Sequence, residues 1–495
     1  MDSSTIHLHS QFQIGPIDPR LFGGFLEHMG RAVYEGVYDP DSVHADEEGI
    51  RSDVVSALRR LHMTTMRYPG GNFASGYHWE DGIGPLDKRP TVRELAWQSI
   101  EPNRFGTEEY IRLCRKMDWM PMLTVNLGTG TPEEARNWVE YCNAPAGTRF
   151  ADLRAGQGQT EPHAVGLWCL GNEMDGPWQL GHIPAEHYAI RAQQAAKMMK
   201  DVDARIELVV CGSSSLSMPT YMEWDRQVLE YLGDFVDYIS LHRYVGNRDQ
   251  DTPDYLAITN SIDRQIEDID AVCRFVQAKQ HSRKRAYLCF DEWNVWYKNM
   301  QMDGEGKFAP HLIEEVYNLE DALVVAGFLH SFVRHADVVK IANLAQIVNV
   351  IAPMLTRRHE TLIQSTFYPF EMFSRRRNGI SLRPVVTGPS YEGKTNGITQ
   401  YIDASAILQE RQLHVFITNR NLDEAAHVQI DLAGQNIATL LAGELLTGPD
   451  AKAVNSFEHP NIIQPRPFSE CRLESGRATV ELPPLSVSAI TFRLE

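Results

Sequence analysis

Eight short apolar or β-branched runs, separated by longer stretches with helical spacing, constrain this chain more than any other feature. The runs are LFGGFLE from Leu21, TMRYPG from Thr65, MPMLTVNLG from Met120, AVGLWCLGNE from Ala164, ELVVCGSS from Glu207, VDYISLHRY from Val236, AYLCFDEWN from Ala286 and VVKIANLAQ from Val338. Helical periodicity covers 51–62, 107–119, 185–202, 224–232, 255–280 and 319–335. Thr131-Pro132-Glu133-Glu134 adds a capping hydroxyl and a proline at the first helical position for a helix through Trp138, Val139 and Cys142. Strands that alternate with helices run parallel, because each helix returns the chain to the same end of the sheet. Eight such units predict an α/β fold closed as a (β/α)₈ TIM barrel, whose active site lies at the C-terminal ends of the strands.

Two of those ends carry acids. The fourth run stops on Gly171-Asn172-Glu173 and the seventh on Asp291-Glu292-Trp293-Asn294. A buried unpaired carboxylate costs several kcal/mol, so each acid must be partnered, solvated or useful. Either one alone reads equally well as an ion-paired strand cap. Two carboxylates facing each other across one barrel mouth are what glycosidic cleavage requires: one protonated to serve the leaving oxygen, one ionised to attack or to activate water. A separation of about 5 Å implies a retaining double displacement, and roughly 6.5–9.5 Å implies inversion. Asn172 precedes the first acid, where its amide can hold a sugar hydroxyl, and His242 and Tyr244 end the sixth run on the same rim. Arg67 reads as a neutraliser of nearby acids or as a ligand contact, and His242 as a structural or a functional histidine.

After about residue 384 helical periodicity gives way to short alternating runs such as LHVFITN from Leu413 and VSAITFRL from Val487, which predict an antiparallel sandwich. The alternating TIHLHSQFQI from Thr5 is expected to add a strand to it. The resulting division is 1–17 with the sandwich, 18–384 as barrel and 385–495 as sandwich. Of the 495 residues, 43% are hydrophobic and 23% charged, as in a soluble globular protein. The net charge of −18 argues against nucleic acid or an anionic membrane as partner. Seven dispersed cysteines without a CxxC pair, and a start lacking an apolar core, predict a reduced, cytoplasmic chain.

GPSYEGKT, from Gly388 to Thr395, matches the phosphate-loop pattern letter for letter, but that loop needs a helix starting at its lysine. Asn396-Gly397 and the strand-like ITQYI follow instead, so a chance match in a surface loop is expected. Gly128-Thr129-Gly130 lacks the third glycine of a dinucleotide site. No HExxH occurs, and the one short histidine pair, His7 and His9, falls in an expected edge strand; neither a metal nor a cofactor is expected.

The residue-dense stretches FGGFLEHMGRAVYEGVYDP from Phe22, MRYPGGNFASGYHWEDGIGP from Met66, WCLGNEMDGPWQLGH from Trp168, SLHRYVGN from Ser240, FDEWNVWY from Phe290 and NLAQIVNVIAPM from Asn343 make the chain resemble an α-L-arabinofuranosidase of glycoside hydrolase family 51 over nearly its whole length. The resemblance implies a retaining mechanism with Glu173 as general acid/base and Glu292 as nucleophile. It further implies arabinose contacts from Glu27, Arg67, Asn72, Asn172, Tyr244 and Gln346, a pocket shaped by Trp97 and Trp296, a jelly-roll-like C-terminal sandwich and a homohexamer. The substrate implied is an arabinofuranosyl oligosaccharide cut from arabinoxylan or arabinan. In many relatives a Trp-Arg pair precedes the glutamine before TFYPF, whereas this chain has Leu362-Ile363 before Gln364; the departure bears on the aglycone side and not on the chemistry. Two other readings fit the residues: a barrel glycosidase acting on a pyranoside, and a carbohydrate-binding protein without turnover.

Overall fold

The computed structural model describes residues 3–495. Each of the eight runs forms a strand: β1 (Gly23–Phe25), β2 (Thr65–Tyr68), β3 (Met120–Thr124), β4 (Leu167–Leu170), β5 (Glu207–Val210), β6 (Tyr238–Val245), β7 (Tyr287–Val295) and β8 (Val339–Ala345). They pair in sequence order, all parallel, and β8 closes on β1. Helices on the outside and packed side chains on the inside bury both faces, which is why the strands read as unbroken apolar runs. Met122, Leu167, Cys169, Val209, Cys289 and Ile341 fill the barrel interior, so polar residues further along the strands are carried up to its mouth.

Thr131 caps the helix Pro132–Asn143 as its sequence implies, its hydroxyl accepting from Glu134 N at 3.0 Å. The periodic stretch 255–280 is not one helix: it divides into Thr252–Leu256 and Thr259–Lys279. Two further helices, Arg149–Gly156 and Phe367–Ser374, lie where no periodicity was apparent.

The C-terminal strands form a five-stranded and a seven-stranded sheet that share one apolar core, with Ile6, Val428, Ile430 and Val480 from one and Val415, Ile417, Ile490 and Phe492 from the other. The N-terminal segment serves both. Gln13–Pro16 is an edge of the seven-stranded sheet beside Ile380–Leu382. Ser4–His9 lies between Val385–Thr387 and Ala426–Ala433, parallel to the latter, so His7 and His9 sit in an interior strand and not in an edge strand. The helix Leu319–Arg334 joins barrel to sandwich: His330 bonds Ser405 and Thr418, and Phe373 from the following helix stacks on Phe416. Among the described residues no helix is long and apolar enough to cross a membrane.

GPSYEGKT forms a hairpin, Ser390–Gly393 against Gly397–Gln400, with no helix after Lys394. The backbone amides of Thr395 and Asn396 donate to Asp254 Oδ1 at 2.8 and 3.0 Å, so the donors a phosphate would use hold the hairpin to the barrel.

Candidate active site

Consecutive residues of a strand point to opposite faces, yet Asp291 and Glu292 both reach the barrel mouth. The register explains this. Ser240 on β6 pairs with Cys289 on β7, and His242 with Glu292, so two residues of β7 oppose the single Leu241. This β-bulge returns both acids to one face.

Arg67, from β2, is wholly buried beneath them and unites the two halves of the mouth. Its Nη1 donates to Glu292 Oε1 at 2.7 Å, its Nη2 to Asn172 Oδ1 at 2.7 Å, and its Nε lies 3.2 Å from Asp291 Oδ2. The second oxygen of Glu292 accepts from the Tyr244 hydroxyl at 2.8 Å. Glu173 faces this pair from the end of β4, where Gly171 turns the chain with a φ of 88° that favours glycine. Its Oε1 lies 2.8 Å from His242 Nδ1 and its Oε2 accepts from Trp178 Nε1 at 2.6 Å. Oxygens of Glu173 and Glu292 and a ring nitrogen of His242 all fall within 4.8 Å of one another.

A second layer surrounds the pair. Glu27, just past β1, accepts from Phe73 N at 2.9 Å and from Trp97 Nε1 at 3.1 Å, while its own amide donates to Gln346 Oε1 at 2.9 Å. Gly71 is required by close approach and not by a turn, since a Cβ there would lie 2.4 Å from Glu27 Oε2. Asn172 Nδ2 reaches Asn72 Oδ1 and Gln179 Oε1, both at 3.3 Å. Trp296 meets Tyr244 edge-on with centroids 5.6 Å apart.

The electrostatics follow from packing four carboxylates around two cations. Burial depresses the His242 imidazolium, but Glu292, Asp291 and Glu173 outweigh it and hold its pKa well above the ordinary value. Burial lifts the Asp291 carboxyl, and Arg67 and His242 overcome this and bring it below the usual range. Burial pushes Glu292 up, with the Glu173 charge adding to it while His242 and Arg67 pull it back. Glu27 is pushed up to about 8, by burial first and by Glu292 second.

The chain matches two family models, described as the α-L-arabinofuranosidase 1 domain over residues 57–260 and the α-L-arabinofuranosidase C-terminal domain over 291–486. It is 43% identical to the intracellular exo-α-(1→5)-L-arabinofuranosidase 1 of Bacillus subtilis strain 168, over 100% of this chain and 99% of that one. It overlays the structure of AbfB, a family 51 α-L-arabinofuranosidase from Bifidobacterium longum, with a TM-score of 0.95 and 35% identity, covering all of both chains. The chain belongs to glycoside hydrolase family 51. An exo-α-(1→6)-L-arabinofuranosidase of B. longum is 38% identical over 99% of this chain and 97% of that one. Family 51 membership makes the protein a glycoside hydrolase.

Glu27, Arg67, Asn72, Trp97, Asn172, Glu173, His242, Tyr244, Glu292, Trp296 and Gln346 are all linked in this one network. Asp291, Ser240, Trp178 and Gln179 also belong to it and were not singled out from the sequence. The adjacent acids in FDEWN and the indole in GNEMDGPW were the available signals for two of them. Neither residue of the Leu362-Ile363 departure makes a hydrogen bond in this network: Leu362 is buried, and Ile363 lines a cleft of about 460 Å³ with Arg60, Tyr368, Glu371 and Glu444.

Proposed function

We propose that the protein is a retaining, exo-acting α-L-arabinofuranosidase in which Glu292 is the nucleophile and Glu173 the general acid/base. The observation that carries this reading is the placement of an oxygen of each acid within 4.8 Å of the other. That spacing supports direct attack, for which carboxyl groups about 5 Å apart are expected, over inversion, for which roughly 6.5–9.5 Å is expected.

In the first step a Glu292 oxygen bonds to the anomeric carbon, and the bond to the leaving oxygen breaks as that oxygen takes the Glu173 proton. Arg67 and Tyr244 hold the attacking carboxylate by hydrogen bonds to its charged form. Glu173 then takes a proton from water, the water oxygen bonds to the anomeric carbon, and Glu292 is released as a carboxylate. Asn172, held by Arg67, is placed for the sugar's hydroxyl at the second carbon, a contact that strengthens as oxocarbenium character develops. Glu27, Asn72, Tyr244 and Gln346 supply further polar contacts, with Trp97 and Trp296 as walls.

The substrates of this reading are terminal arabinofuranosyl groups of arabinan- or arabinoxylan-derived oligosaccharides. Relatives named for (1→5) and (1→6) linkages share the family, so linkage preference belongs to the aglycone side and not to the acid pair. The name of the B. subtilis relative, which calls it intracellular, supports a cytoplasmic location, and the substrates of this reading are then imported fragments. Assembly as a homohexamer completes the reading, and sedimentation velocity tests it. The catalytic assignment is tested by trapping with a fluorinated arabinofuranosyl inhibitor followed by peptide mass mapping. A label on Glu292 is expected, and a label on another residue, or none despite turnover, overturns the assignment.

A further inference from the structure

Glu173 stands in a backbone conformation that side chains avoid. Its φ is 43°, in the left-handed region, which is strained for a residue with a Cβ. Such a conformation persists only where neighbours over-determine it. The bonds from His242 and Trp178 hold the Glu173 carboxylate and do not involve its backbone.

Two residues further on, Asp175 supplies what is missing. Its side chain is buried, and Oδ2 accepts from Ser214 N at 3.0 Å and from Ser214 Oγ at 3.1 Å. Ser214 lies in the loop after β5, so these bonds pin the loop after β4 to the loop after its neighbouring strand. The turn between the pin and the acid is short: Gly176 N donates to Glu173 O at 2.8 Å, and His182 Nδ1 meets Met174 O at 3.0 Å. Asp225 bonds the preceding residue in the same way, accepting from Ser213 N and Ser213 Oγ, but it also caps its own helix by accepting from Met222 N at 3.1 Å. Asp175 has no such second duty. Its Oδ1 is buried without a hydrogen-bond partner, which is unfavourable. Burial pushes its carboxyl up to about 6, the Ser214 amide opposing and the Glu173 charge adding to it. An acid kept at this cost beside another acid calls for a role beyond filling space.

We propose that Asp175 is a positioning residue that locks Glu173 in its left-handed conformation and thereby sets the approach of its carboxyl to the leaving oxygen. The inference rests on Glu173 being the general acid/base.

A mispositioned acid penalises poor leaving groups and spares good ones, and loss of packing alone makes no such distinction. The test compares kcat/KM for dinitrophenyl α-L-arabinofuranoside and for an arabinosyl oligosaccharide in Glu173→Ala, Asp175→Ala, Asp175→Asn and Ser214→Ala. Glu173→Ala is expected to lose about 100-fold or more on the oligosaccharide and far less on the activated substrate. Asp175→Ala should follow with about a 50-fold loss on the oligosaccharide against about threefold on the aryl substrate. Asp175→Asn keeps an oxygen for Ser214 and should recover all but about threefold of the oligosaccharide activity. If Asp175→Ala fails to fold, Ser214→Ala, which removes the hydroxyl half of the pin, should give the same selectivity at smaller size. Equal losses on both substrates, or none, in the folded Asp175 and Ser214 variants overturn the inference. Absence of leaving-group dependence in Glu173→Ala overturns the acid/base assignment itself.

Discussion

The imidazole of His242 meets the carboxylate of Glu173 at 2.8 Å, Nδ1 to Oε1, while its Nε2 faces Asp291 Oδ1 at 3.3 Å. The ring is a buried cation among carboxylates, with a pKa well above the ordinary histidine value despite its burial. A group raised in this way contributes stability that is fully present below its unfolded value of about 6.5 and is lost as pH rises through the higher folded value. Urea denaturation of the wild type should therefore weaken on the alkaline side more steeply than that of His242→Asn, which has no proton to lose. The variant should also lose about 100-fold in kcat/KM, since the Glu173 oxygen loses its partner. Parallel stability curves for the two proteins would refute the buried cation.

Arg67 contacts Asp291, Glu292 and Asn172 with no exposure to water. Removing it leaves two buried carboxylates with less compensation. Arg67→Ala should cost about 3–5 kcal/mol in unfolding free energy. Arg67→Lys keeps the charge but not the planar fork, so it should recover most of the stability and little of the activity. Chemical denaturation and kcat/KM on the same samples check both halves, and a lysine variant with full activity would count against the fork.

The hairpin that spells a phosphate loop makes a negative prediction. Its Thr395 and Asn396 amides are committed to Asp254, and Lys394 starts no helix. Magnesium ATP should leave the melting temperature unchanged, and Lys394→Ala should leave arabinosidase activity within about twofold of wild type, as for a surface substitution. A nucleotide-dependent rise in melting temperature would reopen the question.

The barrel was legible because strands buried on both faces must be apolar throughout, and polarity then returns abruptly at their C-terminal ends, marking Glu173 and Glu292 as members of one rim. Asp291 was hidden by the same logic. Strand alternation assigns it to the face opposite Glu292, and the bulge that reverses this arises from pairing between β6 and β7 that no local pattern encodes. The break between Leu256 and Thr259 carries neither proline nor glycine, and Pro369 disguises the buried helix Phe367–Ser374. Ser4–His9 becomes an interior strand only because Val385–Thr387, nearly four hundred positions on, covers its free side.

Glu27 is a buried carboxyl of the site that no cation touches directly. It accepts from Phe73 N and Trp97 Nε1, and burial together with Glu292 pushes it up to about 8. A carboxyl raised above its unfolded value of about 4.5 gives stability that is complete below that value and is lost as pH rises toward 8. Glu27→Gln has no charge to bury, so it should be the more stable protein near pH 9 and about equal to wild type near pH 5. It should also raise KM about tenfold, because its amide nitrogen would face the Gln346 Nε2 donor where Glu27 Oε2 now accepts at 3.5 Å. Gly71→Ala tests the same packing from the other side: its Cβ would fall 2.4 Å from Glu27 Oε2, forcing the carboxyl out of place. It should raise KM by a similar factor without the alkaline gain in stability, since Glu27 remains ionisable. A Glu27→Gln enzyme with an unchanged stability profile would mean that Glu27 is already ionised at neutral pH and compensated by partners outside its bonds to Phe73 and Trp97.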